Sequence, residues 1–440
     1  MRICKIILSV VLSAVALVLL GASILVLLNV VPGKRAEPAV LQTDAIFAEE
    51  PEISLPEQVV AVPAEPETPV EEEIPAPEEV PAEQEEPAEE AETDVVSRLL
   101  QSMTPEEMVW QLVLTTPESI TGVGVATRAG ETTRTALADC PVGGLCYFSA
   151  NLEDRAQVQT MLTQVQSYVK IPLFLAVDEE GGAVSRVGSN AAMGITWFDP
   201  AAEYGSRGDM EEVCRIGQTM ADELLDLGFN LNFAPVADVV TNPNNTEIGS
   251  RSYSSDPQVA AAMVEAMVQG LQSHHMMACL KHFPGHGSTE ADSHVGRSVS
   301  VRTLEQLRQT EWVPFRAGVE AGVSFVMLSH LTNENLSALP SSLSPEVVGY
   351  LRQELGFTGI IITDSLRMGA ITELYSPAEA AVKGLQAGAD MLLIPADPMS
   401  AVQGILAALE SGDLTQGRVE ESVLRILKAK EAFGLLSSVQ

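Results

Sequence analysis

Downstream of residue 103 the chain alternates short, continuous apolar runs with longer stretches whose apolar positions recur every three or four residues. Continuous runs suit strands buried on both faces, and the longer period suits helices with one apolar stripe. Strands are expected at 111–114, 144–148, 173–177, 230–234, 278–281, 324–328, 359–362 and 390–394. Helices are expected at 157–169, 210–227, 257–274, 303–321 and 344–355, with a last one at 419–433 that ends at Gly434. The first helix start is written in Thr104-Pro105-Glu106-Glu107, where Thr caps, Pro takes the first turn and Glu107 reaches back to complete a capping box. Eight buried strands separated by helices predict an α/β fold, a single (β/α)8 TIM-type barrel over residues 95–440, rather than two smaller doubly wound sheets.

Two earlier blocks break this pattern. An apolar run from Ile6 to Val31 exceeds the roughly 20 residues a helix needs to cross a bilayer. The poor cleavage candidate around Gly21-Ala22-Ser23 makes residues 1–35 read as an uncleaved transmembrane anchor rather than a removed signal peptide. Arg2 and Lys5 on one flank balance Lys34 and Arg35 on the other, so orientation follows from the large domain after the anchor. That domain is expected outside the cell membrane, or secreted if the segment is cut. Residues 36–94 carry 20 Asp and Glu, ten Pro and no Lys or Arg, which reads as an extended, disordered linker whose role is reach.

The whole chain has 60 acidic against 25 basic residues, a net charge of -35. Such a balance excludes a nucleic-acid binder, which needs a basic face to displace counterions from phosphates. Removing the first 94 residues leaves 40 acidic against 21 basic ones, an ordinary acidic domain. The 5 Cys show no paired spacing, which argues against a disulfide framework and a structural zinc site.

In a barrel the chemistry sits where strands end, and polar groups follow five of the expected strands. These are Asp178-Glu179-Glu180-Gly181-Gly182, Pro235 with Asp238, Lys281-His282, Ser329-His330 and Asp364. The densest segment runs Lys281-His282-Phe283-Pro284-Gly285-His286-Gly287 and on to Asp292-Ser293-His294. His282 and His286 have the spacing of a helical zinc pair, but Pro284 and Gly285 forbid that helix, so no metal is expected. Asp292 and His294, two apart, share a face if extended; the carboxylate can then bond one imidazole nitrogen and raise the basicity of the other.

Together with Ile362-Thr363-Asp364-Ser365-Leu366-Arg367-Met368-Gly369, these motifs resemble glycoside hydrolase family 3, in its β-N-acetylglucosaminidase (β-N-acetylhexosaminidase) branch. The likeness runs from Met103 to the Arg425-Ile426-Leu427-Lys428 helix. It implies Asp364 as nucleophile, His294 as general acid/base and Asp292 as its orienting partner. It also implies that Asp178, Arg186, Arg251, Lys281 and His282 bind the terminal sugar, with neither cofactor nor metal. Two positions depart from the family pattern: Ala183 where Arg is usual after Glu-Gly-Gly, and Ser288 where Asp often follows His-Gly.

Such residues suit retaining hydrolysis, in which one carboxylate attacks the anomeric carbon and an acid protonates the leaving oxygen. A His backed by Asp can serve as that acid near neutral pH. The expected substrate is a glycan with terminal non-reducing N-acetylglucosamine, from peptidoglycan fragments or elsewhere, cleaved by a monomer held at the membrane. Competing readings are a β-glucosidase or β-xylosidase of the same family, a phosphorylase, and an inactive glycan-binding barrel.

Overall fold

The computed structural model describes residues 94–289 and 298–438. The expected anchor, the linker before Asp94, and the candidates Asp292 and His294 lie outside the described residues. Among the described residues no helix is long and apolar enough to cross a membrane.

Eight parallel strands build one sheet: β1 (Val113–Thr115), β2 (Gly144–Tyr147), β3 (Phe174–Val177), β4 (Leu231–Asn232), β5 (Met277–Phe283), β6 (Phe325–Leu328), β7 (Ile360–Thr363) and β8 (Leu392–Leu393). Each pairs with its neighbours in sequence, and β1 also pairs with β8, Val113 opposite Leu392. Bridge pairing of Ile362 with Met391 joins β7 to β8, so the sheet returns on itself as in a TIM-type barrel. Every residue of β2, β3, β6 and β7 is buried, which is why these strands read as unbroken apolar runs.

The helices start where the chain carries side-chain caps. Thr104 Oγ1 accepts from the Glu107 N–H at 3.2 Å while Glu107 Oε2 accepts from the Thr104 N–H at 2.8 Å, the expected capping box. Asp154, Asp209 and Asp256 cap the helices Arg155–Ser167, Met210–Leu227 and Pro257–Ser273. The last two helices cross at Gly217 and Gly270. A Cβ on Gly270 would stand 2.3 Å from the Cys214 carbonyl oxygen, so only glycine permits this approach.

Four expected elements differ from the fold, among them the run at 390–394, which is strand only over Leu392–Leu393. Gln111 ends the helix Pro105–Gln111 instead of opening β1, because its amide is used to bind the Pro141 carbonyl at 2.8 Å and the buried Lys430 ammonium at 2.9 Å. The run at 230–234 holds strand pairing only over Leu231–Asn232; Pro235 has no N–H to extend the ladder. The helix expected over 303–321 is two, Leu304–Gln309 and Trp312–Glu320. Pro314 cannot donate to the Thr310 carbonyl, and its ring would clash there, so the chain breaks at Thr310 and restarts with Pro314 in a first turn.

Exposed large apolar side chains are confined to one end among the described residues. Val123, Val125, Phe148, Trp197, Met210, Val299, Val301, Leu374 and Met399 all follow a strand and precede the body of its covering helix. They therefore ring the end of the barrel at which the strands terminate, the end that carries the polar groups.

Candidate active site

Strand β3 delivers Asp178, and a short antiparallel hairpin, Glu179–Gly181 with Val184–Ser185, follows it at once. Alternation along extended backbone sends Asp178 and Glu180 one way and Glu179 the other. Glu179 turns inward, where it accepts from Ser185 Oγ at 2.5 Å and from the backbone N–H groups of Val187 at 2.7 Å and Gly188 at 3.2 Å. Burial raises its carboxyl above the ordinary value despite these bonds. Its role is to tie down the hairpin from which Arg186 projects.

Asp178 and Glu180 meet two cations that arrive from elsewhere in the chain. Lys281 Nζ lies 2.7 Å from Asp178 Oδ1 and 2.6 Å from Glu180 Oε1. Arg251 grips Glu180 with two parallel bonds of 2.8 Å and is steadied by the Glu247 carbonyl at 3.1 Å. Burial pushes the Glu180 carboxyl up, but Lys281 and Arg251 together outweigh it and hold the group at about 2. Burial likewise pulls the Lys281 ammonium down, and Asp178 and Glu180 reverse this, leaving it above the ordinary lysine value. The four charges cancel, which is what permits them to be this deeply buried.

Lys281 and His282 are consecutive, yet both line one cavity. A regular strand would point them to opposite sides; here the pairing of β5 with β6 slips between Leu280 and Phe283, and that irregularity re-aims the pair. His282 is then fixed by Asp238, which follows β4. Asp238 Oδ2 lies 2.7 Å from His282 Nδ1 and accepts from the His282 N–H at 3.2 Å, while Oδ1 accepts from the His286 N–H at 2.6 Å. Burial pushes the Asp238 carboxyl up, but His282, His286 and these bonds hold it below the ordinary value. Asp238 thereby fixes the orientation of the His282 ring.

His286 therefore belongs to the support of the site. Its ring Nδ1 is 3.0 Å from Thr289 Oγ1, and its carbonyl accepts from the Asn245 side chain at 2.8 Å. Gly287 runs against the β4 loop so closely that a Cβ there would stand 2.0 Å from the Val239 carbonyl oxygen. Among the described residues no cluster of three His, Cys, Asp or Glu side chains could hold a metal ion.

Strand β7 ends at Thr363 and presents Asp364. Its N–H donates to the Leu328 carbonyl at 2.8 Å, and its Oδ1 accepts from the Ser365 N–H at 2.7 Å. The turn is held from β6: His330 Nε2 is 2.9 Å from the Ser365 carbonyl and His330 Nδ1 is 2.7 Å from Ser342 Oγ.

The structure gathers Asp178, Arg186, Arg251, Lys281, His282 and Asp364 around one cavity of about 330 Å³ at the C-terminal end of the barrel. These are all of the expected site residues that are described. A larger cavity of about 510 Å³, against Trp110, Leu137 and Lys170, lies on the opposite side and carries none of the strand-end groups. Glu180 and Asp238 were not assigned site roles from the sequence, and neither was His330. All three stood among the polar groups after strands, but their partners are set by folding.

A family model described as the glycosyl hydrolase family 3 N terminal domain matches residues 105–429. The chain belongs to this family of glycosidases. Relatives include a β-hexosaminidase of Xylella fastidiosa, 36% identical over 278 residues, 61% of this chain and 82% of that one. The β-hexosaminidase A of Pseudoalteromonas piscicida is 32% identical over 318 residues, 66% of this chain; the match spans only 53% of that relative's length. A family 3 β-N-acetylglucosaminidase structure from Paenibacillus sp. superposes with a TM-score of 0.71 at 34% identity, covering 76% of this chain and 63% of that one.

Proposed function

We propose that the barrel is an exo-acting, retaining β-N-acetylhexosaminidase that removes terminal non-reducing N-acetylglucosamine. The observation that carries the reading is Asp364 on the wall of the same small cavity as the Asp178–Lys281–Glu180–Arg251 cluster and His282. A carboxylate beside a neutralised polar lining can attack a sugar held by its hydroxyls. Asp178 spends one oxygen on Lys281, and the other keeps its lone pairs for hydroxyl donors. The relatives named β-hexosaminidase and β-N-acetylglucosaminidase favour the N-acetyl sugar over glucose or xylose.

In the first step the Asp364 carboxylate bonds to the anomeric carbon as the bond to the leaving oxygen breaks, and His294 gives that oxygen its proton. In the second, neutral His294 takes a proton from water, the water oxygen bonds to the anomeric carbon, and Asp364 leaves as carboxylate. Two inversions at one carbon retain its configuration. Asp292 orients His294 throughout and stabilises its protonated form.

The apolar block at 1–35 and the acidic linker at 36–94 support a surface-anchored enzyme that acts outside the cell, on peptidoglycan fragments or other glycans. The test is hydrolysis of p-nitrophenyl β-N-acetylglucosaminide beside the corresponding glucoside, by the parent protein and Asp364→Asn. Rapid release from the N-acetyl substrate, lost in the variant, is expected. Release from the glucoside alone would overturn the assignment.

A further inference from the structure

The cavity sorts its lining by depth. Lys281, His282, Phe233 and Cys146 are buried, Asp178 and Asp364 are partly so, and Phe148 alone of the described lining residues is exposed, at 36%. Phe148 is also the one member of the apolar ring at this end of the barrel that borders the cavity. At about 330 Å³ the interior is at the small end for ligand pockets, which fits one sugar and its substituents. Whatever is attached to that sugar must rest at the rim.

Phe148 is exposed but its backbone is firmly set. Its N–H donates to Asn151 Oδ1 at 2.8 Å. The Asn151 amide in turn donates to Glu118 Oε1 at 2.5 Å and to the Ala126 carbonyl at 3.0 Å, and Asn151 is itself buried. The Arg186 guanidinium stands 6.0 Å from the ring centroid. A flat apolar face carried on a fixed backbone at a polar mouth has a hydration cost that a pyranose can relieve, since its axial C–H groups form an apolar face of matching size.

We propose that Phe148 is a specificity-determining residue: a stacking platform for the leaving-group sugar, which makes a glycan, rather than a small aglycone, the preferred substrate. The assignment deepens the hexosaminidase reading and rests on it. Phe148 contacts the leaving sugar before bond cleavage and has nothing to hold once that sugar departs. Its contribution therefore enters the first step and not hydrolysis of the glycosyl-enzyme.

The experiment compares kcat/KM for the β-1,4-linked N-acetylglucosamine disaccharide and for β-N-acetylglucosaminyl fluoride, whose leaving group is too small to reach the rim. Phe148→Ala is expected to lower the disaccharide-to-fluoride ratio about tenfold, mainly through a higher KM for the disaccharide. Phe148→Leu, which keeps apolar volume but loses the flat face, lowers it too, and Phe148→Tyr restores it. An unchanged ratio in both Ala and Leu variants, whether the two rates hold or fall together, overturns the platform alone. A parent protein inert on both substrates overturns the hydrolase reading and the platform with it.

Discussion

Both ends of this barrel bury charge, and they do so in opposite ways. At the N-terminal end Asp390, fully buried before β8, is saturated. Its Oδ2 takes Arg352 at 2.5 Å and the Ile361 N–H at 2.9 Å, and its Oδ1 takes Ser422 Oγ at 2.8 Å and Arg425 at 3.0 Å, with Arg418 at 3.7 Å. At the C-terminal end Asp178 has one oxygen on Lys281, Arg186 Nε has no hydrogen-bond partner among the described residues, and the whole group faces a cavity. A buried polar group left incompletely bonded costs stability, so it persists where a ligand completes it. Asp390 is thus saturated by the framework around it, whereas the Asp178 group keeps bonding capacity open to the cavity.

The sharpest way to break this contrast is to remove one carboxylate from each end. Asp364→Asn should lower turnover by about three orders of magnitude or more while leaving the thermal midpoint nearly in place, as read by p-nitrophenol release and calorimetry. Asp390→Ala should do the reverse. Stripping the arginines of their shared partner is expected to cost roughly 3–5 kcal/mol in urea unfolding, with activity per folded molecule retained. Equal loss of activity in both variants would erase the distinction between the ends.

Lys430, at the same end as Asp390, is the exception to that saturation. Among the described residues this lysine, buried at the N-terminal end, has only Gln111 Oε1 at 2.9 Å and the Phe174 ring, 4.9 Å from the ammonium, for company. Burial pulls its amine down from 10.5 to about 7. Between those two values the unfolded chain carries a proton that the folded one has shed, so stability should climb as pH rises from about 7 toward 10.5. Below that window both states carry the proton and the fold bears the full cost of a buried ammonium. Lys430→Met should therefore stabilise the domain near neutral pH by on the order of 2–3 kcal/mol and flatten the climb, as measured by thermal midpoints from pH 6 to 10. A variant with an unaltered pH profile would show that Lys430 is not the titrating group.

The smallest effect is expected at a surface cap on the functional side. Ser376 caps the helix Pro377–Ala387 behind the Asp364 turn, in a capping box with Glu379. Ser376→Ala should cost about 1 kcal/mol in urea unfolding and leave kcat unchanged. A change in kcat instead would tie that helix to the geometry of the Asp364 turn.

Much of the architecture was legible because a parallel barrel buries its strands on both faces, and Phe174–Val177 or Ile360–Thr363 then can hardly be written any other way. Legibility failed where one side chain had a tertiary task. Gln111 sits in an apolar run but is held in the helix by Pro141 and Lys430, the latter 319 residues away. At the site, Asp178, Lys281, His282 and Asp364 could be picked out since each follows an apolar run. The links among them could not: Arg251 finds Glu180 across 71 residues, and His282 finds Asp238 across 44.

The amino-acid order alone determined which segments are strands, which residues stand at their ends, and which chemistry those residue types allow, because periodicity and chemical identity are local properties. Only the closed barrel decided that Glu180 would be neutralised by two cations, that a slipped register would turn Lys281 and His282 to one side, and that Phe148 would stand at the rim. Those outcomes depend on distances between elements far apart along the chain, and folding sets such distances by packing whole layers against one another.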